Sequence, residues 1–138
     1  MSTGQFAFQE ALFTTLNTDS NLTTTLGASI YDEVPDTEVV TFPYVQIGED
    51  NTLDYSTKDL TGSETVVNLH VWSRYRGSKE TKQIMDRVHT LLHDSNLSVT
   101  GHNFINMRME FGEVRRDPDG ITRHGIMRFR AIMLGPRS

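Results

Sequence analysis

The stretch FINMRMEFGEVRRDPDGITRHGIMRFRAIM, residues 104–133, decides how the rest of the chain is read. In its first half Ile105, Met107, Met109 and Phe111 alternate with Asn106, Arg108 and Glu110. In its second half Met127, Phe129, Ala131 and Met133 alternate with Arg128 and Arg130. Side chains of a strand point to opposite faces in turn, so each half predicts a strand with one apolar and one polar face. Between them Asp117-Pro118-Asp119-Gly120 is a strong turn: proline presets φ at the second position and glycine is free to take positive φ at the fourth. The prediction is a hairpin with arms of about ten residues, long for a strand.

Upstream, Pro43 to Glu49 carries Val45 and Ile47 in alternation, with proline where a strand tolerates it. Glu64 to Trp72 sets Val67, Leu69 and Val71 against Val66, Asn68, His70 and Trp72, which predicts a second hairpin. The segment between, Asn51 to Ser63, is polar and acidic and reads as a long flexible loop of the kind that binds partners. Ile30-Tyr31 and Val34-Pro35 form a short extended piece ahead of these strands. Two helices complete the pattern. Gln5 to Asn17 puts Phe6, Phe8, Leu12, Phe13 and Leu16 on a broad stripe, and Ser78 can cap a helix running to about Asn96 with Ile84, Met85, Val88, Leu91 and Leu92 inward. Between the first helix and the strands, Asp19-Ser20-Asn21 offers caps for a short turn that Gly27 closes. The expected fold is a single α+β domain over residues 1–138. One antiparallel sheet, with mixed pairing left open, packs one face on two helices and leaves the other face to water or to another subunit.

A chain of 138 residues suits one core. It has no cysteine, so disulfides and thiolate zinc sites are excluded, and synthesis in a reducing cytosol is the expectation. Neither a signal-peptide pattern nor an apolar run of about 20 residues is present, so no membrane role is expected. The net charge of −5 argues against phosphate binding as the main task. The charges are segregated along the chain: Asp32 to Glu64 holds nine acids against Lys58, and Gly101 onward holds seven arginines against four acids. Two readings stand: two solvated faces, or surfaces of opposite sign that meet when copies associate head to tail.

Motifs for chemistry are sparse. His89 and His93, four apart on a helix, could share a metal, but the glutamate of a zinc protease is missing and other ligands are not supplied. His70, His102 and His124 look scattered and structural. No nucleophile elbow and no Gly-rich phosphate loop occurs, and the pairs Asp32-Glu33 and Glu49-Asp50 read as surface. The turn at 117–120 lacks the later ligands of a calcium loop. Arg115, Arg116 and Arg123 crowd its tip without aromatics interleaved for base stacking, which favours a protein partner. The expectation is a subunit of a larger assembly with no catalytic site and no cofactor.

Four stretches together resemble one known family. They are Ile30-Tyr31-Asp32-Glu33-Val34-Pro35, then Phe42-Pro43-Tyr44-Val45-Gln46-Ile47-Gly48-Glu49, then Leu69-His70-Val71-Trp72-Ser73-Arg74 leading into a helix, then Arg116-Asp117-Pro118-Asp119-Gly120-Ile121-Thr122-Arg123-His124-Gly125. In that order and spacing they resemble the tail-completion or tail-terminator proteins of long-tailed bacteriophages and gene transfer particles, over nearly the whole chain. The resemblance implies a virion subunit that forms a ring, typically of six, on the head-proximal end of the tail tube. Such a ring ends polymerisation of the tube protein and offers a surface to the head connector, and DNA passes through it without specific binding. Within that picture Asp54, Tyr55, Lys58 and Asp59 are the expected contacts to the tube. Arg115, Arg116 and Arg123 are expected to meet Asp32 and Glu33 of the next copy.

Overall fold

A computed structural model of the chain describes residues 5–31, 42–54, 60–95, 97, 99 and 103–136. The elements are α1 (Gln5–Asn17), β1 (Ser29–Tyr31), β2 (Tyr44–Asp54), β3 (Leu60–Ser73), α2 (Lys79–Leu92), β4 (Asn103–Arg116) and β5 (Arg123–Pro136). Among the described residues five strands form one sheet in the order β1-β2-β3-β5-β4. β1 runs parallel to β2 and every other neighbouring pair is antiparallel, so the sheet is mixed and the expected α+β class holds.

Alternation dictates the layers. Val67, Leu69 and Val71 of β3 face the helices beside Met127, Phe129, Ala131 and Met133 of β5, and all seven are buried. Phe8, Leu12 and Leu16 of α1 and Ile84, Val88 and Leu92 of α2 close over them. Each such side chain contributes about 1.5–3 kcal/mol by leaving water. Phe6, expected on the same stripe, is 74% exposed: only residues about 3.6 apart share a helix face, and Phe8, Leu12 and Leu16 define the inward one. After α1, residues Asn21–Thr25 make one wide π-turn. Asp19 caps it by accepting the Leu22 N–H at 2.9 Å, and Gly27 leaves it at φ +71°.

Three expectations change. The segment from Asn51 to Ser63 is mostly strand: Asn51 pairs with Val66, Thr52 with Thr65 and Asp54 with Ser63, and the Thr52 and Thr65 hydroxyls lie 3.1 Å apart. β3 also pairs with β5 from Leu60 onward, and from Ser63 onward it is bonded on both sides, which holds the strand despite its polar side chains. Second, the arms of the C-terminal hairpin have 14 residues each, and β4 carries register shifts between Phe104 and Asn106 and between Met109 and Phe111. A bulge adds one residue and inverts the alternation beyond it. Phe111 therefore leaves the face of Met107 and Met109 for the helix-free face, while Gly112 turns toward Met85 of α2.

Third, α2 stops at Leu92 and not near Asn96, because His93 leaves helical geometry and Asp94 takes φ +54°. Both then serve the edge of β4. The Asp94 N–H donates to Met107 O at 2.7 Å, and Met109 N–H donates to His93 Nδ1 at 3.1 Å. Ser78 stands at the helix start without a side-chain capping bond.

Candidate assembly surfaces

Strand register puts the candidate regions at opposite ends of the sheet. Ser73 pairs with Arg123 at one end and Leu60 with Pro136 at the other, 13 residues along β3. At about 3.3 Å per residue the ends lie roughly 43 Å apart. The Arg-rich tip of the β4–β5 hairpin occupies the first end, and the end of β2 at Asp54 and the start of β3 at Leu60 lie toward the second.

The tip is a rigid turn. Asp119 Oδ1 accepts the Ile121 and Thr122 N–H groups, both at 2.8 Å, and its Oδ2 accepts the Thr122 hydroxyl at 2.6 Å. These bonds, led by the Thr122 hydroxyl, hold the Asp119 carboxyl down at about 2. Gly120 closes the turn at φ +77°, where a side chain is disfavoured. Arg123 is turned inward and is only 9% exposed, donating to the Gly120 and Ile121 carbonyls at 3.4 and 3.0 Å. Of the three arginines expected at an interface, Arg115 and Arg116 are the exposed ones, with Arg115 Nε 2.9 Å from Glu113 Oε2. Exposed Ile121 and Tyr75 add apolar surface. Asp32 and Glu33 lie outside the described residues. Tyr55, Lys58 and Asp59 lie outside as well, and of Asp54 only the backbone, the last residue of β2, is described.

The helix-free face carries two networks. Arg130 of β5 bonds both Glu64 of β3 and Glu110 of β4. Next to it Arg128 donates to Asn68 at 3.3 Å and lies 5.6 Å over the Phe111 ring, and Asn68 donates to Glu49 at 2.9 Å. Acids and arginines that are far apart in sequence thus neutralise each other inside one sheet, because β3 lies between β2 and β5. Those charges do not wait for a neighbouring copy.

The second network is aromatic. His70 Nδ1 and His124 Nε2 share a hydrogen bond of 2.8 Å, and the His124 ring stacks on Trp72 at 3.7 Å between centroids. Trp72 stacks on Tyr44, which meets Tyr31 and Phe42, and Arg74 lies 4.5 Å over Phe42. Burial, then the neighbouring His70, lowers the His124 pKa, which favours the neutral ring. Burial likewise raises Tyr44. His70 and His124 are scattered in the sequence and meet only here. Both sit at outward positions of their strands, which is the only signal available, and their meeting depends on the β3–β5 register.

His89 and His93 do stack, at 4.5 Å, but Nδ1 of His93 is already committed to Met109. Among the described residues no group of three metal-ligating side chains assembles. The surface cavities are open grooves, such as one of about 470 Å³ between α2 and β4 lined by Lys82, Met85, Asp86, Gly112, Glu113 and Val114.

This α+β fold is also seen in a gene transfer agent particle. It superposes with a TM-score of 0.86 on a chain in the "Virion of native gene transfer agent (GTA) particle", covering 98% of this chain and 100% of that one at 23% identity. The chain belongs to the tail completion protein gp17 family, whose model matches residues 10–134. The tail completion protein gp17 of Bacillus phage SPP1 is 32% identical over 89 residues, 64% of this chain and 66% of that protein, just under two thirds of its length. The solved structure of bacteriophage SPP1 gp17 matches with a TM-score of 0.58 and 25% identity, covering 91% of this chain and 88% of that one.

Proposed function

We propose that this chain is a structural virion subunit that closes the head-proximal end of a phage or gene-transfer tail. Copies form a ring, six in the pattern the sequence resembles, that stops addition of tube protein and then offers a surface to the head connector. The chain is made in the bacterial cytoplasm, and DNA passes through the ring without specific contacts. The observation that carries this reading is the family match over residues 10–134 together with the full-length fold match to a chain of an assembled particle.

The geometry supports a piece set between partners. A sheet bearing 14-residue strands is stiff, and its ends differ in chemistry: Arg115, Arg116, Ile121 and Tyr75 at the tip, and the acidic 51–64 segment at the other. Within the ring, Arg115 and Arg116 are the cations assigned to Asp32 and Glu33 of the next copy, Arg123 being committed inward. The 54–59 segment is assigned to the tube. Electron microscopy of particles made without this protein tests the role: tails of uncontrolled length without heads are expected. Normal-length tails that merely lack heads would move the protein to the neck, the alternative joining role.

A further inference from the structure

β4 is an edge strand, and its two halves are treated differently. At Met107 and Met109 the outward backbone groups are taken by Asp94 and His93 at the end of α2. From Phe111 to Arg116 no strand among the described residues lies on the outer side of β4. An open edge is a template for another strand, and natural sheets normally cover, shorten or charge it. This half carries charges in a particular order.

The geometry points to pairing of this half-strand with the same half-strand of a second copy, antiparallel about a two-fold axis through Val114. In such a pair residues i and j sit opposite when their numbers average to the axial residue. Glu113 then faces the second copy's Arg115, and Arg115 faces its Glu113. On the helix-free face the existing Glu113–Arg115 pair becomes a closed ring of four alternating charges. A shift of the axis by one residue to either side sets Glu113 against its own copy or Arg115 against its own copy. Like charges directly opposite are destabilising, so charge selects the register.

The other face fits the same register. Gly112 comes opposite Arg116 of the second copy, on the side toward α2. A side chain arriving there meets the groove of about 470 Å³ whose walls include Met85 and Asp86. Gly112 has no side chain to fill it, and the nearest atoms to a Cβ there are 3.7 Å away, on Met109 and Met85. The Arg116 stem can lie on the methionine with its guanidinium toward Asp86, as long cationic side chains commonly do. Pairing would also cover part of Phe111, which is 42% exposed.

A two-fold contact is self-limiting and differs from the head-to-tail contact that closes a ring. Because it occupies Arg115 and Arg116, the paired chain cannot use them for a ring, and the free subunit is held back from assembling alone.

Absence of cysteine makes the test clean. In isolated chain, Val114→Cys is expected to oxidise to a covalent dimer, since only the axial residue faces its own copy. Arg116→Cys is expected to stay uncrosslinked, as the two copies of residue 116 lie about 13 Å apart at 3.3 Å per residue, beyond disulfide reach. In sedimentation, Glu113→Arg should abolish the dimer and Glu113→Arg with Arg115→Glu should restore it, with circular dichroism confirming that each variant is folded. A wild-type chain that stays monomeric at about 100 μM, where a Kd in the micromolar range would show, overturns the pairing. So does a Val114→Cys that crosslinks no better than Arg116→Cys, or a double swap that fails to restore the dimer. None of these results bears on the tail lengths of particles lacking the protein, so the two readings fail separately.

Discussion

Arg87 of α2 grips Asp19 at two points, Nε to Oδ2 at 2.8 Å and Nη2 to Oδ1 at 2.7 Å, across 68 residues of chain. Asp19 also caps the π-turn, so one carboxylate ties the corner after α1 to the second helix. The Arg87 hydrogen bond is the main cause of its lowered pKa. A carboxylate depressed on folding contributes stability that is present above its unfolded pKa and is lost as pH falls through the folded value. Asp19→Ala should cost about 1–2 kcal/mol at neutral pH, in the range of lost helix caps. Urea titrations at pH 7 and at pH 3 check this, with the gap between variant and parent shrinking at the lower pH.

Close approach makes two glycines unequal. A Cβ on Gly48 would lie 2.7 and 2.8 Å from the His70 ring and 2.9 Å from the Asn68 carbonyl, while one on Gly125 would meet Met85 Sδ at 2.7 Å and Thr81 Cγ2 at 3.0 Å. Backbone cannot step aside as a methionine can. Gly48→Ala is expected to cost about 1–3 kcal/mol, and Gly125→Ala less. Chemical denaturation of the two variants side by side gives the order.

The three tip arginines should separate by assay. Arg123→Ala leaves the Gly120 and Ile121 carbonyls without their buried partner and should lower stability by ~2 kcal/mol. Arg115→Glu and Arg116→Glu should leave the melting temperature within a few degrees and act on association alone. Thermal melts paired with sedimentation distinguish the two kinds of loss.

Asp119 should titrate near 2 in an NMR experiment. Being depressed, it supports the tip at all pH values above the ordinary carboxylate range, and that support fades as pH falls through about 2. Asp119→Ala should speed amide exchange at Ile121 and Thr122 while the amides of β3 stay protected.

Replacing residues 55–59 by Asn-Gly keeps Asp54 and Ser63, the last pair of the β2–β3 ladder. If this end meets the tube, tails assembled with the variant should lose length control. Tails of normal length would place the tube contact elsewhere.

Side-chain order alone determined much of this protein. Period-two alternation in residues 64–72 and 127–133 marked the inner strands, and the Asp117 to Gly120 turn made residues 127–133 one arm of a hairpin, because these signals are local. The family, too, was legible from four short stretches in sequence order. What tertiary structure decided was everything that depends on register and on neighbours. Polar residues 51–54 and 60–63 became strand because pairing of β2 with β3 and of β3 with β5 satisfied their backbone. The bulge between Met109 and Phe111, invisible in alternation, moved Phe111 to the opposite face and opened the site over Gly112. Glu64 and Arg130, 66 residues apart, became a cross-strand pair, and two histidines that look scattered in the sequence became one hydrogen-bonded stack, since a side chain's neighbours across a sheet are set by pairing and not by its place in the chain.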